Sequence, residues 1–261
     1  MSVMPVTIAV LGLGEAGGAL ARDLVRAGAV VRGYDPQVTA AEGIIDTGSE
    51  SEAAEGADLV LSVNSASVAV DALRAGAKGV GSGAAWADLN TGSPGLKRQL
   101  AAIAAESGIA FADVSIMAPV PGKGLKVPLL VSGVAAASVA ETLSALGASI
   151  DVLEGEAGLA AERKLLRSVF FKGMSAAVVE ALTAAKAAGK EDWLRKMITD
   201  ELTAADESTV DRLETGSYQH SKRRTDEMAA AAEMLDELGV PNDVASASRD
   251  QLARITENKL K

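Results

Sequence analysis

Three glycines near the start of the chain have the spacing that binds a dinucleotide. The segment Gly12-Leu13-Gly14-Glu15-Ala16-Gly17 follows an apolar run of strand-forming residues and precedes an Ala- and Leu-rich stretch typical of a helix. In such a unit the first glycine permits a tight turn, the second admits the pyrophosphate, and the third lets the helix pack closely on the strand. The amides of the first helical turn point at the phosphates, aided by the helix dipole. All six residues are predicted to bind a cofactor; the alternative is a glycine turn without a ligand.

An acidic residue ends the second predicted strand. Asp35 lies 18 positions after Gly17, near the offset of about 20 at which a carboxylate meets the adenosine ribose. A carboxylate there accepts hydrogen bonds from both ribose hydroxyls of NAD and repels the extra phosphate of NADP. We therefore expect NAD to be preferred over NADP, since Arg32 is predicted to face the other way. Asp35 precedes Pro36 and could instead form a turn.

A lysine lies inside the longest helical pattern of the second half. Lys164, Ser168 and Lys172 recur at intervals of four residues, which places them on one face of a helix. A lysine beside a nicotinamide can act as acid or base on a carbinol. The alternative is an ion pair with Glu162 or Glu180 on a solvated face. His220, in a polar segment, is a candidate to contact a substrate or is simply exposed.

Strand patterns alternate with helical patterns through the first half, which predicts parallel βαβ units. Because ligands bind at the carboxyl ends of the strands in such sheets, the residues that follow two of these strands are predicted to contact the cofactor: Val63, Asn64, Ser65 and Thr91. After the opening strand, the predicted strands are at 29–35, 57–63, 109–114, 129–133 and 149–152, with a further short strand that begins at Trp86. The predicted helices are at 15–27, from after Ser65 through Leu73, and from Pro94.

The strand patterns stop near Gly155. A helical spacing then runs from residue 158 to 188, followed by predicted helices at about 190–204, 206–213, 221–238 and 243–259. The fold class is therefore α/β: a Rossmann-type, doubly wound, mostly parallel sheet followed by an all-α C-terminal domain. The predicted domains are 1–155 for the dinucleotide and 156–261 for substrate and dimerisation. The long helix is apolar on more than one side, so it is expected to be buried within that domain or in a dimer.

The amino-acid composition excludes several classes of binding partner. The net charge of −10, from 35 acidic and 25 basic residues, argues against nucleic acid, since no positive field attracts phosphate backbones. With no cysteine and one histidine, neither disulfides nor a metal site is expected. Neither export nor a membrane helix is expected, since no charged-then-apolar leader and no apolar run of about 18 residues is seen in the sequence. A cytoplasmic protein with a small-molecule substrate is expected.

Taken together, these motifs resemble the β-hydroxyacid dehydrogenase superfamily, which includes 3-hydroxyisobutyrate dehydrogenase and phosphogluconate dehydrogenase. The glycine loop is similar to the cofactor motif of that family, and the segment from Asp88 to Pro94 to its D-x-S-T-x-x-P loop, with Asn90 in place of serine. Lys164, sixteen residues before Glu180, matches the placement of the family's catalytic lysine. A branch with a C-terminal domain of unknown function shares the Met-Ala-Pro-Val-Pro segment.

The resemblance also implies where the substrate binds. The family's D-A-P-V-S-G-G motif aligns with residues 113–119, which implicates Ser115, Met117, Ala118 and Pro119. Met117 stands where the family has a substrate-binding serine, and Ser168 replaces its asparagine. Lys172 and His220 complete the predicted substrate-binding set. The resemblance further implies a homodimer through the helical domain, with the active site in the cleft between domains.

Three functions remain open from the sequence. The leading hypothesis is an NAD(P)-dependent dehydrogenase or reductase for a small hydroxy acid or a related alcohol or carbonyl compound, in which Lys164 transfers the proton and Ser168 holds the oxygen. The second is imine reduction on the same scaffold, favoured by Met117. The third is a non-catalytic dinucleotide-binding redox sensor.

Overall fold

The computed structural model describes residues 5–259, which divide into two compact units between Arg167 and Ser168. The division falls inside a long helix, rather than at residue 155 where the strand patterns stop. The first two turns of that helix belong to the first unit because side chains of the sheet bind its N-terminus.

The first unit contains an eight-stranded sheet with the order β3-β2-β1-β4-β5-β6-β7-β8, in which all neighbours are parallel except the antiparallel pair β6 and β7. This confirms the predicted mostly parallel, Rossmann-type sheet. The strands are β1 (Thr7–Leu11), β2 (Val30–Tyr34), β3 (Ile44–Asp46), β4 (Leu59–Ser62), β5 (Ala85–Asp88), β6 (Ala110–Ile116), β7 (Pro128–Ser132) and β8 (Ser149–Val152).

Helices cover both faces of this sheet. Successive residues of β1 join different apolar clusters, Ile8 and Val10 one and Ala9 and Leu11 the other, and all four are buried. A strand buried on both faces is the norm in parallel sheets, which explains its continuous apolar sequence. The helices are α1 (Glu15–Arg26), α2 (Glu50–Ala54), α3 (Ala69–Gly76), α4 (Pro94–Glu106), α5 (Ala136–Ala145) and α6 (Leu159–Ala187), of which α6 continues into the second unit.

Local sequence accounts for the helix ends. Gly28, with φ of +93°, follows α1 as predicted, because glycine adopts the left-handed conformation without strain. Pro94 begins α4, also as predicted, and Ser93 caps it by accepting a hydrogen bond from Leu96 N at 3.1 Å.

One long-range bond ties α1 to the segment after β6. The carboxylate of Asp23 accepts a hydrogen bond from the amide of Leu125 at 2.9 Å, across 102 residues of sequence. Leu125 lies in a short 3-10 turn, Gly124–Lys126. The helix that begins at the glycine loop therefore also holds the proline-rich segment that precedes β7.

The second unit is helical, as predicted. It contains the rest of α6 with α7 (Glu191–Ala204), α8 (Glu207–Gln219), α9 (Ser221–Glu237) and α10 (Asp243–Asn258). The carboxylate of Glu180 on α6 accepts hydrogen bonds from Val244 N at 2.7 Å and Ala245 N at 2.8 Å, and so caps α10.

The prediction that α8 ends at residue 213 was wrong. The helix continues through the polar run 214–217 to Gln219. Ser217 donates from Oγ to the carbonyl of Leu213 at 2.8 Å, so a residue type that favours turns is accommodated inside the helix by back-bonding.

Part of the apolar surface of α6 is not buried within its own chain, so of the two predicted alternatives, burial in the domain or in a dimer, the first does not cover the whole helix. Leu166, Val169, Phe170 and Val179 are between 59% and 76% exposed in the single chain. A helix that is apolar on several sides has therefore only part of its apolar surface covered by its own chain.

Candidate functional site

The backbone of the glycine loop leaves no room for side chains at two of its three glycines. Gly12, with φ of +96°, lies so close to the end of β4 that an added Cβ would be 2.6 Å from the carbonyl oxygen of Val63. A Cβ at Gly17 would be 1.9 Å from the carbonyl oxygen of Gly12. The turn and the close helix–strand packing that the spacing predicts are both present.

Gly14 differs from these two glycines. It precedes α1 with a φ of −62° and makes no side-chain cap, and a Cβ added to it would have no atom within 4 Å. It therefore faces open space at an uncapped helix N-terminus, where backbone amides and the helix dipole favour an anion. The loop fits the pyrophosphate of a dinucleotide.

A cavity of about 540 Å³ opens beside this loop. Six of its lining residues are among those predicted to contact the cofactor: Gly12, Gly14, Asp35, Val63, Asn64 and Ser65. The cavity thus collects residues from the carboxyl ends of β1, β2 and β4, as expected for this sheet. Leu13 is buried in the loop, and Glu15, Ala16 and the buried Gly17 belong to the first turn of α1.

The cavity also contains acids that the sequence patterns did not single out. Glu50 and Asp71 line it together with Asp35, and the lining, drawn from residues 5–259, contains no Lys or Arg. Glu50 and Asp71 lie in the first turns of helices that follow parallel strands, but the residues around them in the sequence form no recognisable motif. Only the strand order brings them to the cavity.

Asp35 ties the glycine loop to the end of β2. Its Oδ2 accepts a hydrogen bond from Leu13 N at 2.8 Å, and its Oδ1 accepts from Gln37 N at 2.8 Å and Val38 N at 3.1 Å. The last two bonds are those of an Asx turn, so the turn role considered for Asp35 is present. Oδ2, which accepts one bond, can accept a further one, and this leaves capacity for a ribose hydroxyl.

Arg32 is engaged elsewhere. Its guanidinium donates to the carbonyl oxygens of Ala53 at 3.2 Å and Glu52 at 2.7 Å, at the end of α2. A guanidinium satisfied by the backbone in this way is a poor clamp for a ribose phosphate.

Lys164 and Thr91, predicted separately, are in direct contact. Lys164 donates from Nζ to Thr91 Oγ1 at 2.9 Å, across 73 residues of sequence. Thr91 follows the carboxyl end of β5, whose neighbour β4 ends at the cavity. The ammonium group therefore lies on the side of the sheet formed by the carboxyl ends of the strands, as do the predicted cofactor residues.

The other predicted substrate residues are distributed over both units. Ser115 is buried on β6, whereas Met117, Ala118 and Pro119 lie in the loop after it, where Met117 N donates to the carbonyl of Pro128 at 2.9 Å.

Ser168 and Lys172 follow Lys164 on α6, within the second unit. His220 is the single residue between α8 and α9, and it lines a surface cavity of about 560 Å³ with Lys222, Arg223 and Lys259.

A fully buried group of charges beneath Thr91 is the main feature that sequence reasoning missed. The ammonium of Lys97 on α4 lies 2.5 Å from the carboxylate of Asp88 and 3.1 Å from that of Asp113, and all three side chains are at most 1% exposed. Lys97 also donates to the carbonyl oxygen of Asp88 at 2.9 Å. Asp88 and Asp113 are register partners on neighbouring strands. We call Asp88, Lys97 and Asp113 the buried charge cluster.

Neither a membrane helix nor a metal site is found in the described part of the chain. No helix in residues 5–259 is long and apolar enough to cross a bilayer. In the same residues, no group of three or more His, Cys, Asp or Glu side chains could hold a metal ion.

Comparison with solved structures places this geometry among dehydrogenase-like folds. A conserved hypothetical protein from Sinorhizobium meliloti is 29% identical, with 96% of this chain and 88% of that chain covered and a TM-score of 0.62. The conserved protein MTH1747, of unknown function and with structural similarity to 3-hydroxyacid dehydrogenases, is 28% identical over 98% of both chains, with a TM-score of 0.60. An imine reductase from Myxococcus stipitatus in complex with NADP+ is 20% identical, with 97% and 94% covered and a TM-score of 0.79.

Family models cover most of both units. No curated protein matches the chain. A domain of unknown function, DUF1932, matches residues 185–255, in agreement with the branch that the sequence resembles. The model described as the NAD binding domain of 6-phosphogluconate dehydrogenase matches residues 7–155, more than half of the chain. The chain therefore belongs to the family of the 6-phosphogluconate dehydrogenase NAD-binding domain and has an NAD(P)-binding, dehydrogenase-like fold.

Proposed function

We propose that this protein is an NAD(P)-dependent oxidoreductase that acts on a small hydroxy acid or a related alcohol or carbonyl compound, with Lys164 as general acid and base. The observation that carries the proposal is the 2.9 Å hydrogen bond from Lys164 Nζ to Thr91 Oγ1, at the strand edge where the dinucleotide cavity opens.

In this proposal, residues of the chain itself transfer the proton between the protein and the substrate. A bound nicotinamide supplies or accepts the hydride. Lys164 gives a proton to the substrate oxygen on reduction and removes it on oxidation, and Thr91 orients the ammonium by accepting one of its hydrogens. Ser168, one helical turn after Lys164, is proposed to hold the substrate oxygen by a hydrogen bond.

The remaining predicted residues are proposed to bind the rest of the substrate. Lys172 and His220 would supply positive charge or hydrogen bonds for a carboxylate. Ser115 would supply a hydroxyl, and Met117, Ala118 and Pro119 would supply apolar contacts. Because Met117 replaces a serine, we expect a less polar substrate than the usual small hydroxy acids.

NAD is the proposed cofactor, with NADP bound more weakly. Asp35, Glu50 and Asp71 give the cavity three carboxylates, which repel the additional phosphate of NADP. Arg32, the nearest guanidinium in sequence, already donates to two carbonyl oxygens of the α2 segment.

A homodimer through the helical domain is proposed from the exposed side of α6. Val169, Phe170 and Val179 are 76%, 59% and 65% exposed, and an apolar cavity of about 530 Å³ lies nearby in the second unit, lined by Trp193, Met228 and Met234 among others. Exposed apolar patches of this kind mark interaction surfaces. Sedimentation equilibrium of the wild type and of Phe170→Lys tests the proposal, which requires a dimer that the substitution weakens.

The activity is tested by turnover with purified protein. NADH or NADPH is mixed with a panel of small aldehydes and keto acids, and NAD+ or NADP+ with the matching hydroxy acids and alcohols. On any substrate that reacts, Lys164→Ala should lower kcat by about 10²–10⁴-fold, the usual contribution of a general acid or base. Lys196→Ala is the matched control, since Lys196 is a surface lysine, 75% exposed, that pairs with Asp200 four residues on. Full turnover by Lys164→Ala would refute the proposed role.

Imine reduction is the second candidate. The imine reductase from Myxococcus stipitatus shares the fold, and Met117 favours an apolar substrate. Cyclic imines in the same panel separate the two chemistries, because the reduction of C=N without any reaction of carbonyl or hydroxy compounds would favour this candidate. Tight NADH binding without turnover of any compound would instead favour the redox sensor.

A further inference from the structure

The N-terminus of α6 is bound by side chains of the sheet. Asp113 Oδ2 accepts hydrogen bonds from the amides of Gly158 at 3.1 Å and Ala161 at 2.9 Å. Ser132 Oγ on β7 accepts from Ala160 N at 3.2 Å. Three of the amides that a helix leaves unpaired at its start are thereby satisfied. Lys164 lies three residues after Ala161, so the helical turn that carries it begins at this cap.

The same cluster determines the position of Thr91. Asp88 Oδ2 accepts a hydrogen bond from Asn90 Nδ2 at 2.7 Å, and the same amide group donates to Asn64 Oδ1 at 2.8 Å. Asn64 lines the dinucleotide cavity, and Asn90 is the residue before Thr91. The backbone that presents Thr91 is therefore held by Asp88 on one side and by a residue of the cavity on the other.

Lys97 joins the two halves of this arrangement. Its ammonium contacts the carboxylates of both Asp88 and Asp113 and is fully buried. If the ammonium moved, at least one buried carboxylate would lose its counter-charge, which is energetically costly. The separation between the cap of α6 and the loop after β5 is consequently fixed by the lysine between them.

We propose that the buried charge cluster is a positioning unit that sets the distance between Lys164 and Thr91. Asp113 positions Lys164 through the cap of α6, and Asp88 positions Thr91 through Asn90. All three side chains are buried, so in this proposal they act through other residues and not on the substrate. The inference rests on the proposed function for its catalytic consequence, although the structural consequence for α6 is independent of any substrate.

Amide hydrogen exchange followed by mass spectrometry tests the structural consequence. In Asp113→Ala, exchange of the amides in residues 158–166 should rise about fivefold, as expected for the loss of a helix cap. Asp113→Asn should restore part of the protection, because its amide oxygen can still accept from Gly158 and Ala161 although the pairing with the Lys97 ammonium is lost. The matched control is Asp206→Ala, which removes the carboxylate cap of α8 in the second unit and should leave residues 158–166 unchanged.

Kinetics on a substrate found in the panel test the positioning role. Asp113→Ala should lower kcat by about tenfold or more, because a small misplacement of a catalytic group is costly, while the Kd for NADH stays within twofold of the wild type. Asp113→Asn, which keeps the cap but loses the pairing with Lys97, should recover only part of kcat. A structural role alone would lower the melting temperature and leave kcat of the folded enzyme intact. If Asp113→Ala does not fold, Ser132→Ala is used instead, because it removes one acceptor from the same cap. It should raise amide exchange in residues 158–166 and lower kcat, both by less than Asp113→Ala.

The results separate this inference from the proposed function. The inference would be overturned if the amides of residues 158–166 in Asp113→Ala exchanged at the same rate as in the wild type, even if Lys164→Ala is inactive. The same holds for Ser132→Ala where that variant is used. Unaltered kcat in the variant with increased exchange would overturn the positioning role. Full turnover by Lys164→Ala would refute the proposed function and leave the exchange result standing.

Discussion

Replacement of Gly17 by alanine is expected to disturb both the fold and the cofactor site. A Cβ at this position would lie 1.9 Å from the carbonyl oxygen of Gly12, 3.0 Å from its carbonyl carbon and 3.3 Å from the Cβ of Val63. The first distance is roughly 1.5 Å shorter than an ordinary contact. The neighbours are backbone atoms and one short side chain, so the N-terminus of α1 must move away from the glycine loop.

Two opposing contributions to the free energy of unfolding decide whether Gly17→Ala is stabilising or destabilising. Alanine in a helix is favoured over glycine by about 0.5–1 kcal/mol, whereas overpacking costs about 1–3 kcal/mol. The clash should prevail and lower the melting temperature by about 2–4 °C for each kcal/mol of net destabilisation. The displaced amides should also weaken NADH binding by about tenfold or more, equivalent to about 1.4 kcal/mol.

Thermal unfolding and NADH fluorescence titration measure the two effects. Gly173→Ala is the matched control, because Gly173 lies within α6 and an added Cβ there has no atom within 4 Å; that variant should melt at or above the temperature of the wild type. A Gly17→Ala protein that melts like Gly173→Ala and binds NADH normally would refute the argument that close packing requires glycine at position 17.

Three further predictions concern single side chains. Gly14→Ala should lower NADH affinity by about tenfold with little change in melting temperature, since its Cβ enters only the open space above the loop; a large loss of stability would contradict this. Asp35→Asn should bring the Kd values for NAD and NADP closer together in isothermal titration, because it removes a negative charge from the cavity, and an unchanged ratio would count against the role of Asp35. Hydrogen bonds from Ser208 and Thr209 lower the pKa of Asp206, so its cap should stabilise α8 fully above about pH 4 and be lost as the pH falls through the lowered value. The difference in melting temperature between the wild type and Asp206→Ala should accordingly shrink in acid, and a constant difference from pH 7 to pH 3 would show that ionisation is irrelevant.

Features that depend on neighbouring residues could be predicted from the sequence. The turn at Gly12, the start of α4 at Pro94 and the left-handed Gly28 each follow from residues adjacent in the chain. The spacing of apolar residues likewise gave α6 within one residue at each end. The polar end of α8 could not be predicted in this way, because Ser217 is satisfied by a back-bond that its residue type does not indicate.

Features that depend on strand register could not be predicted. Asp88 and Asp113 are 25 residues apart and meet because β5 and β6 pair in a particular register. Lys97, three residues after Pro94, has the sequence context of a surface residue at the start of a helix, yet its side chain is fully buried. The catalytic hypothesis for Lys164 came from the family resemblance and from helical spacing, whereas its contact with Thr91 required the folded chain.

The bond between Asp23 and Leu125 has a consequence for how the chain assembles. During synthesis Asp23 emerges 102 residues before Leu125, so α1 can form on β1 and β2 long before its carboxylate acquires that partner. Contacts between such distant residues form late, because the intervening chain must first be ordered. We therefore expect the 3-10 turn before β7 to take its final place late in the assembly of the first unit, after the chain between α1 and this turn has been ordered.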